Sequence, residues 1–218
     1  MTVDSHCQPA RVRRLPEPAQ PVSDALPLVP DVVVLDTCVL ISSVLRPLLL
    51  NMGQAGCFAP TWSAMIGKEW CRTAEKLWQA DPDDVHKQWA AIQKAHPLAD
   101  MGDVSAHLAG LVRSDPKDWH VIAAGRAALE RYPDTKVAVI TRNIKDFHRA
   151  ELRRLGLYLF DPDQLLSRYW QHDAPAVRQH LVQLVEQITQ AAFQPDTLEF
   201  LLKRERLFRL NRLFQGHA

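Results

Sequence analysis

Four acidic residues occupy positions in the chain from which carboxylates could act together on a metal ion: Asp36, Glu69, Asp118 and Asp146. Mg²⁺ and Mn²⁺ take oxygen ligands, usually a few carboxylates together with waters and substrate phosphate. Carboxylates that lie close together repel one another, so a cluster of them implies a bound cation. A cation there would activate a water molecule and stabilise the charge that develops when a phosphodiester is hydrolysed.

Taken one at a time, each of these residues also has an ordinary structural explanation. Asp36 could end a strand in a turn, and Asp118 could complete a helix cap, because acidic residues are favoured in a first turn. Glu69 could be a solvated helix residue paired with a basic residue one turn away, and Asp146 could cap the helix that follows it. The prediction of a shared site therefore depends on the elements that position the four residues.

Three short, continuous apolar runs predict strands that are buried on both faces, as in a parallel sheet. They cover residues 32–35, 136–141 and 157–160. Asp36 ends the first run, and Asp146 lies in the loop just after the second. Ligands of parallel sheets bind beyond the carboxyl ends of the strands, so we expect these two residues to border such a crevice.

Helical periodicity fills the segments between these runs. A helical stretch begins at Cys38, and Pro47 is predicted to perturb or close it. Further helices are predicted at 61–80, 85–95 and 147–155. Strands that alternate with helices predict an α/β fold, here a three-layer α/β/α sandwich with a mainly parallel sheet.

The two remaining acidic residues lie on predicted helices. Glu69 is beside the apolar stripe of the helix at 61–80, so it can border the core. The segment Asp115-Pro116-Lys117-Asp118 predicts a helix start, with Asp115 as the N-cap and Pro116 in the first helical position. Asp118 then falls in the first turn of that helix.

The two ends of the chain differ from its middle. Residues 1–30 hold six of the 15 prolines and show no periodicity, so we expect a disordered tail. Residues 31–162 form the predicted α/β domain, and residues 163–218 form a predicted helical extension. Two amphipathic stripes mark this extension: Val177, Leu181, Leu184, Val185 and Ile188, followed by Leu198, Leu201, Leu202, Leu207, Leu210, Leu213 and Phe214.

The composition is that of an ordinary globular protein, with 47% hydrophobic and 23% charged residues and a formal charge of +1. This near-neutral total neither indicates nor excludes a nucleic-acid binder, because clustered carboxylates offset basic residues elsewhere. The four cysteines have no CxxC spacing, which argues against a zinc knuckle or a redox pair. Their number and spacing in a chain of this size do not predict a disulfide framework, which favours a reducing compartment. No apolar stretch is long enough for a membrane span, and the N-terminus lacks a signal-peptide core. We therefore expect a cytoplasmic protein with no membrane contact.

Four segments together resemble the PIN-domain family, particularly its VapC-like ribonuclease toxins from bacterial toxin–antitoxin pairs. The run VVVLDTCVL at 32–40 is similar to the opening strand with its first Asp, and Glu69-Trp70 resembles the helix that carries the family's Glu. DPKDWHV at 115–121 is similar to the third motif, D-P-x-D-x-H-V. TRNIKDF at 141–147 matches T-x-N-x-x-D-F, the most specific of the four. The resemblance covers about 31–165.

This resemblance implies a metal-dependent endoribonuclease that uses Mg²⁺ or Mn²⁺. The four acidic residues would hold the metal or its waters and carry the catalysis. Four neighbours would support them: Thr37, Asp115, Thr141 and Asn143. The implied partners are an RNA substrate and a cognate antitoxin protein, and we leave open whether the chain forms a homodimer. The sequence departs from the family at Cys38, where Asn is common, and at Trp119, where Arg is common.

Basic residues near the proposed site would hold substrate phosphates: Lys117, Arg142 and Lys145. An ordinary solvated face is an equal alternative for them. His120 and His148 are interpreted as structural, because a metal–carboxylate site needs neither. The arginines of the last predicted helix could form a solvated face, an RNA contact or a partner surface, and the sequence does not choose among these.

Two other functions compete with a nuclease. The first is a catalytically silent PIN-like module that binds nucleic acid or protein, although all four acidic positions are filled. The second is a haloacid-dehalogenase-type phosphatase, which also has an Asp at a strand end. The phosphatase chemistry requires a second Asp two residues after the first, but Cys38 occupies that position after Asp36.

Overall fold

A computed structural model describes residues 28–191 and 197–216. Most of the predicted proline-rich tail, 1–27, lies outside these residues. Its last three residues belong to the folded part, because Leu28 and Val29 pack against the core and the Tyr169 hydroxyl donates to the carbonyl of Pro30 at 2.6 Å. The described packed structure thus includes residues 28–30, which lie before the predicted boundary at residue 31.

The centre of the fold is a parallel sheet of four strands: β1 Val32–Leu35, β2 Ala59–Thr61, β3 Val137–Ile140 and β4 Leu157–Phe160. The strand order is β2-β1-β3-β4. Every residue of β1 and β3 is buried, so helices must cover both faces of the sheet. The predicted three-layer α/β/α sandwich and its three predicted strands are confirmed.

β2 is a strand that the sequence analysis did not predict. It has only three residues and contains Pro60, which has no N–H to donate and is normally confined to sheet edges. It pairs in register with β1, and no pairing with another strand is seen among the described residues. Its extended conformation is thus supplied by β1 rather than by a local pattern.

Ten α-helices surround this sheet in the described part of the chain. They are α1 Thr37–Leu40, α2 Leu45–Gln54, α3 Ala64–Trp78, α4 Pro82–Ala95, α5 Trp119–Arg131, α6 Arg149–Arg154, α7 Pro162–His172, α8 Ala174–Ala191, α9 Leu198–Arg204 and α10 Phe208–Gly216. Short 3-10 helices occupy Ser105–His107, Pro116–Asp118 and Ile144–Asp146.

The helix boundaries follow from capping side chains. Ser63 accepts a hydrogen bond from the Ile66 N–H at the start of α3, and Asp161 forms a capping box with Gln164 at the start of α7. The prediction for Pro47 was wrong, because Pro47 lies in the first turn of α2. Proline is tolerated there, since the first N–H groups of a helix have no intrahelical acceptor.

The helix predicted at 147–155 is shorter and begins later. Residues Ile144–Asp146 form a separate 3-10 helix, and α6 begins at Arg149. His148 rather than Asp146 is the N-cap, since its Nδ1 accepts from the Glu151 N–H at 3.3 Å. Asp146 is therefore not needed as a cap.

The C-terminal extension shares one hydrophobic core with the sheet. α7 packs against β4 and α10, and α8 packs against α2. The stripe residues Val177, Leu181 and Leu184 are all buried, as are Leu201 and Leu210. These apolar faces are covered by the chain itself. Among the described residues, no helix is long and apolar enough to cross a membrane.

Candidate metal centre

Asp36 is held at the carboxyl end of β1 by two donors. Its Oδ2 accepts from the Thr141 hydroxyl at 2.6 Å and from the Cys38 thiol at 3.0 Å. Thr141 directly follows β3, so these bonds join the ends of the two central strands. Burial and the charge of Asp36 raise the pKa of Cys38 to about 12, which keeps the thiol protonated as a donor. Cys38 thus donates a hydrogen bond at the position where Asn is common in the family that the sequence resembles.

Two loops are clamped together beside Asp36. The N–H of Asp115 donates to the carbonyl of Asp146 at 2.8 Å, and the N–H of Asp146 donates to the carbonyl of Asn143 at 2.9 Å. The N–H of Asn143 in turn donates to the Thr141 hydroxyl at 3.0 Å. The segment after β3 and the segment before α5 are therefore fixed relative to each other.

The charges of three neighbouring aspartates act on the Asp118 carboxyl group. The pKa of Asp118 is raised to about 6, first by burial and then by the negative charges of Asp36, Asp146 and Asp115. Such coupling requires the four groups to lie within electrostatic range. Asp115 also caps the 3-10 helix, because its Oδ1 accepts from the Lys117 N–H at 3.0 Å.

Glu69 lies to one side of this group. Its Oε2 accepts from the Thr37 hydroxyl at 3.2 Å and lies 3.1 Å from Nε2 of His120, as an ion pair rather than a well-directed hydrogen bond. Burial opposes ionisation of Glu69, but His120 and Thr37 outweigh it and lower its pKa. Burial opposes protonation of His120, but Glu69 and then Asp36 outweigh it and raise its pKa.

His120 is therefore closer to the candidate chemistry than the sequence interpretation placed it. The ring lies 3.1 Å from the Glu69 carboxylate, and the charge of Asp36 helps to raise the pKa of His120. Its position two residues after Asp118, within the DPKDWHV segment, was the available signal. Trp119 is structural, because its indole N–H donates to the Ser114 carbonyl at 2.9 Å.

The predicted phosphate-binding residues do not form one group. Lys117 and Lys145 are exposed. Arg142 is instead paired with Glu205, which lies between α9 and α10 and also accepts from the Ser42 hydroxyl at 2.9 Å. The C-terminal extension therefore reaches the rim of the candidate site and binds the arginine that was expected to meet substrate.

Glu151 is a positioning residue that the sequence analysis missed. It is 2% exposed, yet its carboxylate accepts from the backbone N–H groups of Val112, Arg113 and Ser114 and from the Ser114 hydroxyl, at 2.7–3.1 Å. Burial opposes its ionisation, but these four donors outweigh it and lower its pKa to about 2. Glu151 thereby fixes the loop that leads into Asp115.

The donor set fits a hard divalent cation in kind, since it offers carboxylate oxygens whose mutual repulsion a cation would relieve. In the described part of the chain, however, no three His, Cys, Asp or Glu side chains lie close enough together to enclose an ion. The aspartates would have to draw together on binding. A groove of about 1070 Å³ between α2 and α8 is lined by none of the four predicted ligands.

No protein-family model, no curated protein and no solved structure matches this chain, so the resemblance to the PIN-domain family rests on its four motifs alone.

Proposed function

We propose that the chain is a metal-dependent endoribonuclease. The observation that carries this proposal is the proximity of Asp118 to Asp36, at the carboxyl end of β1, and to Asp146, in the loop after β3. Burial, and then the negative charges of Asp36, Asp146 and Asp115, raise the pKa of Asp118 to about 6. A protein gains no stability from unneutralised carboxylates held together, so their arrangement favours a cation. The position of Asp36 directly after the parallel strand β1 supports the proposal, because α/β sheets bind ligands beyond the carboxyl ends of their strands.

Mg²⁺ or Mn²⁺ held by these aspartates would lower the pKa of a coordinated water and offset charge on the scissile phosphate. Thr141 and Cys38 hold the Asp36 carboxylate in place through hydrogen bonds to its Oδ2. Glu69 acts from the side, where Thr37 and His120 hold it in its ionised form. Lys117 and Lys145 remain exposed for contacts with substrate phosphates.

RNA as the substrate, and a toxin role with a cognate antitoxin, are proposed from the motif resemblance. The apolar stripes of the C-terminal extension are buried within the chain, so an antitoxin would bind a different surface. An antitoxin cation placed among the carboxylates would replace the metal charge and silence the enzyme.

Cleavage of a labelled single-stranded RNA tests the proposal directly. Cleavage should require Mg²⁺ or Mn²⁺ and stop in excess chelator. Asp36→Asn should lower the rate at least about a hundredfold, because it removes charge that the cation needs and hence several kcal/mol of transition-state stabilisation. Asp83→Asn, at an exposed position in α4, is the matched control and should cleave normally. Undiminished cleavage in chelator or by Asp36→Asn would exclude this mechanism.

A catalytically silent PIN-like binding module is the second candidate. The observation that favours it is the engagement of Glu69 with His120 and Thr37 on one side of the aspartates. Such a module would bind RNA or protein without cutting RNA in any divalent metal. Binding without cleavage across Mg²⁺, Mn²⁺ and Zn²⁺ would select this alternative.

A further inference from the structure

Three adjoining grooves on the C-terminal side of the molecule are lined by arginines. The first, of about 560 Å³, lies along α9 and α10, and the second and third, of about 360 and 380 Å³, follow α7 and β4. Arg209 lines both the first and the second groove, and Arg149 lines both the second and the third. The surface is therefore continuous. We name it the arginine track and define it by six residues: Arg149, Arg153, Arg168, Arg206, Arg209 and Arg212.

The acidic residues in these grooves are already engaged by the protein. Asp161 accepts from the Gln164 N–H at 2.7 Å, and Asp163 accepts from the N–H groups at the start of α10 at 2.9–3.1 Å. Glu205 is paired with Arg142. These carboxylates are thus occupied by backbone donors or by a cation outside the track, and the track keeps an excess of positive charge.

The track's arginines form no ion pair with a carboxylate in the described part of the chain. Arg206, Arg209 and Arg212 are exposed, and within residues 28–191 and 197–216 their side chains form no ion pair with a carboxylate. Arg168 lies over the Phe160 ring at 4.6 Å, and Arg149 donates to the Leu159 carbonyl at 3.5 Å. Neither contact neutralises the guanidinium charge.

Exposed aromatic rings lie at both ends of the track. Phe208 lines the first groove and is 54% exposed, and Tyr158 lines the third and is 39% exposed. A row of cations with aromatic faces suits a single-stranded polynucleotide, whose phosphates pair with arginine and whose unstacked bases stack on rings. A duplex keeps its base faces hidden and gains nothing from such rings.

We infer that the arginine track binds the backbone of a single-stranded polynucleotide and delivers it to the candidate metal centre. The connection is Arg142, which lines the first groove and directly follows Thr141, the residue bonded to Asp36. The identification of this polynucleotide as the RNA substrate rests on the proposed function. The binding surface itself does not depend on it.

RNA binding can be measured in chelator, which removes the metal that cleavage would need, so the role of the arginine track in binding is tested apart from catalysis. Fluorescence anisotropy with a labelled 20-nucleotide single-stranded RNA, over a series of salt concentrations, would compare the full chain with the triple variant Arg206→Gln/Arg209→Gln/Arg212→Gln. The control is Lys76→Gln/Lys87→Gln/Lys94→Gln, which removes the same charge from α3 and α4, helices that pack against each other. The track variant should bind at least about tenfold more weakly, and its salt slope should fall by roughly 2, while the control stays near wild type.

A second variant keeps the proposal testable if the triple change disturbs folding. Phe208→Ala retains every charge and should weaken binding of single-stranded RNA about tenfold, while binding of a duplex of equal length changes little. Single-stranded DNA of the same sequence, run in parallel, shows whether the sugar matters as well as the phosphate.

The outcomes separate this inference from the proposed function. If the track and control variants lost equal RNA affinity, or if neither lost any, the inference that the arginine track binds the polynucleotide would be wrong. Unchanged RNA binding by Phe208→Ala, together with tighter binding of duplex than of single strand, would overturn its single-strand character. Tight binding that needs the arginines, in a chain that cuts no RNA in any metal, would support the track and reject the nuclease.

Discussion

At the scale of single residues, the candidate site is defined by several negatively charged carboxylates that the fold brings near one another. Asp118 is partly buried and faces the charges of Asp36, Asp146 and Asp115, so its pKa rises to about 6. A carboxyl group whose pKa is higher in the folded than in the unfolded state binds its proton more tightly when folded. Its contribution to stability therefore decreases as pH rises through the interval between the two values.

Asp118→Asn should accordingly stabilise the metal-free protein in a pH-dependent way. The unfolded pKa is near 3.9 and the folded pKa is about 6, so the cost of ionising Asp118 in the folded state, from burial and then repulsion, is absent below about pH 4 and complete above about pH 6. At pH 8 the variant should gain roughly 1–2 kcal/mol in free energy of unfolding, after allowance for solvent screening, and little at pH 4. Urea unfolding in chelator measures both values.

Metal supplies the matching control for this prediction. Mg²⁺ or Mn²⁺ should raise the unfolding free energy of the wild-type chain but barely that of Asp118→Asn, because ligand that binds only the folded state stabilises it. A gain of the same size at pH 4 and pH 8 would show that repulsion is not its cause.

At the scale of elements, a buried carboxylate on a short helix positions the loop that carries two of the acidic residues. Glu151 on α6 accepts four hydrogen bonds from residues 112–114, which precede Asp115. An amide in its place would turn at least one N–H towards other donors and leave buried polar groups unpaired. The cost should appear both in stability and at the site.

Glu151→Gln should lower the unfolding free energy at pH 7 by roughly 3 kcal/mol. Because the folded pKa of Glu151 is about 2, well below its ordinary value, its stabilisation is present above about pH 4.5 and is lost as pH falls towards 2. The difference between wild type and variant should therefore shrink over that interval.

Denaturant unfolding from pH 2 to pH 7 measures this difference. Glu130→Gln is the control, since its side chain is 78% exposed and pairs only with His107 among the described residues. A pH-independent loss in Glu151→Gln would indicate a packing defect instead of a lost charge.

At the scale of the whole molecule, the helical extension shares one hydrophobic core with the sheet instead of forming a separate unit. Leu181 on α8 is fully buried, and α8 packs against α2, while Glu205 reaches back to Arg142 at the candidate site. Seven of the extension's apolar stripe residues are buried in this shared core, so removal of the extension would expose the core residues that they cover: Val177, Leu181, Leu184, Leu201, Leu202, Leu207 and Leu210.

Leu181→Ala should destabilise the entire chain by about 2–5 kcal/mol, because it leaves a cavity in a shared core. Unfolding followed by tryptophan fluorescence and by circular dichroism should give one coincident transition. Val182→Ala is the neighbouring control, with a side-chain position that is 45% exposed, and should change stability by less than about 0.5 kcal/mol. Separate transitions for the helices and the sheet would contradict a common core.

The sequence by itself determined the features that depend on neighbours along the chain. Uninterrupted apolar runs specify β1, β3 and β4, because a strand between two helical layers must be apolar on both faces. Local caps such as Ser63 and Asp115 mark where helical turns begin, since a side-chain oxygen reaches the N–H groups two or three residues later. Asp36 could be placed at a strand end because it directly follows the apolar run of β1.

Only the tertiary structure decided the contacts between residues that are distant in sequence. β2 is extended because β1 pairs with it. Its three residues include Pro60, so the sequence shows no strand pattern there. The Glu69–His120 pair, the Glu205–Arg142 pair and the four donors on Glu151 join separate elements. No periodicity encodes such pairs, because they depend on how the helices pack against the sheet, and that packing decides which charges meet.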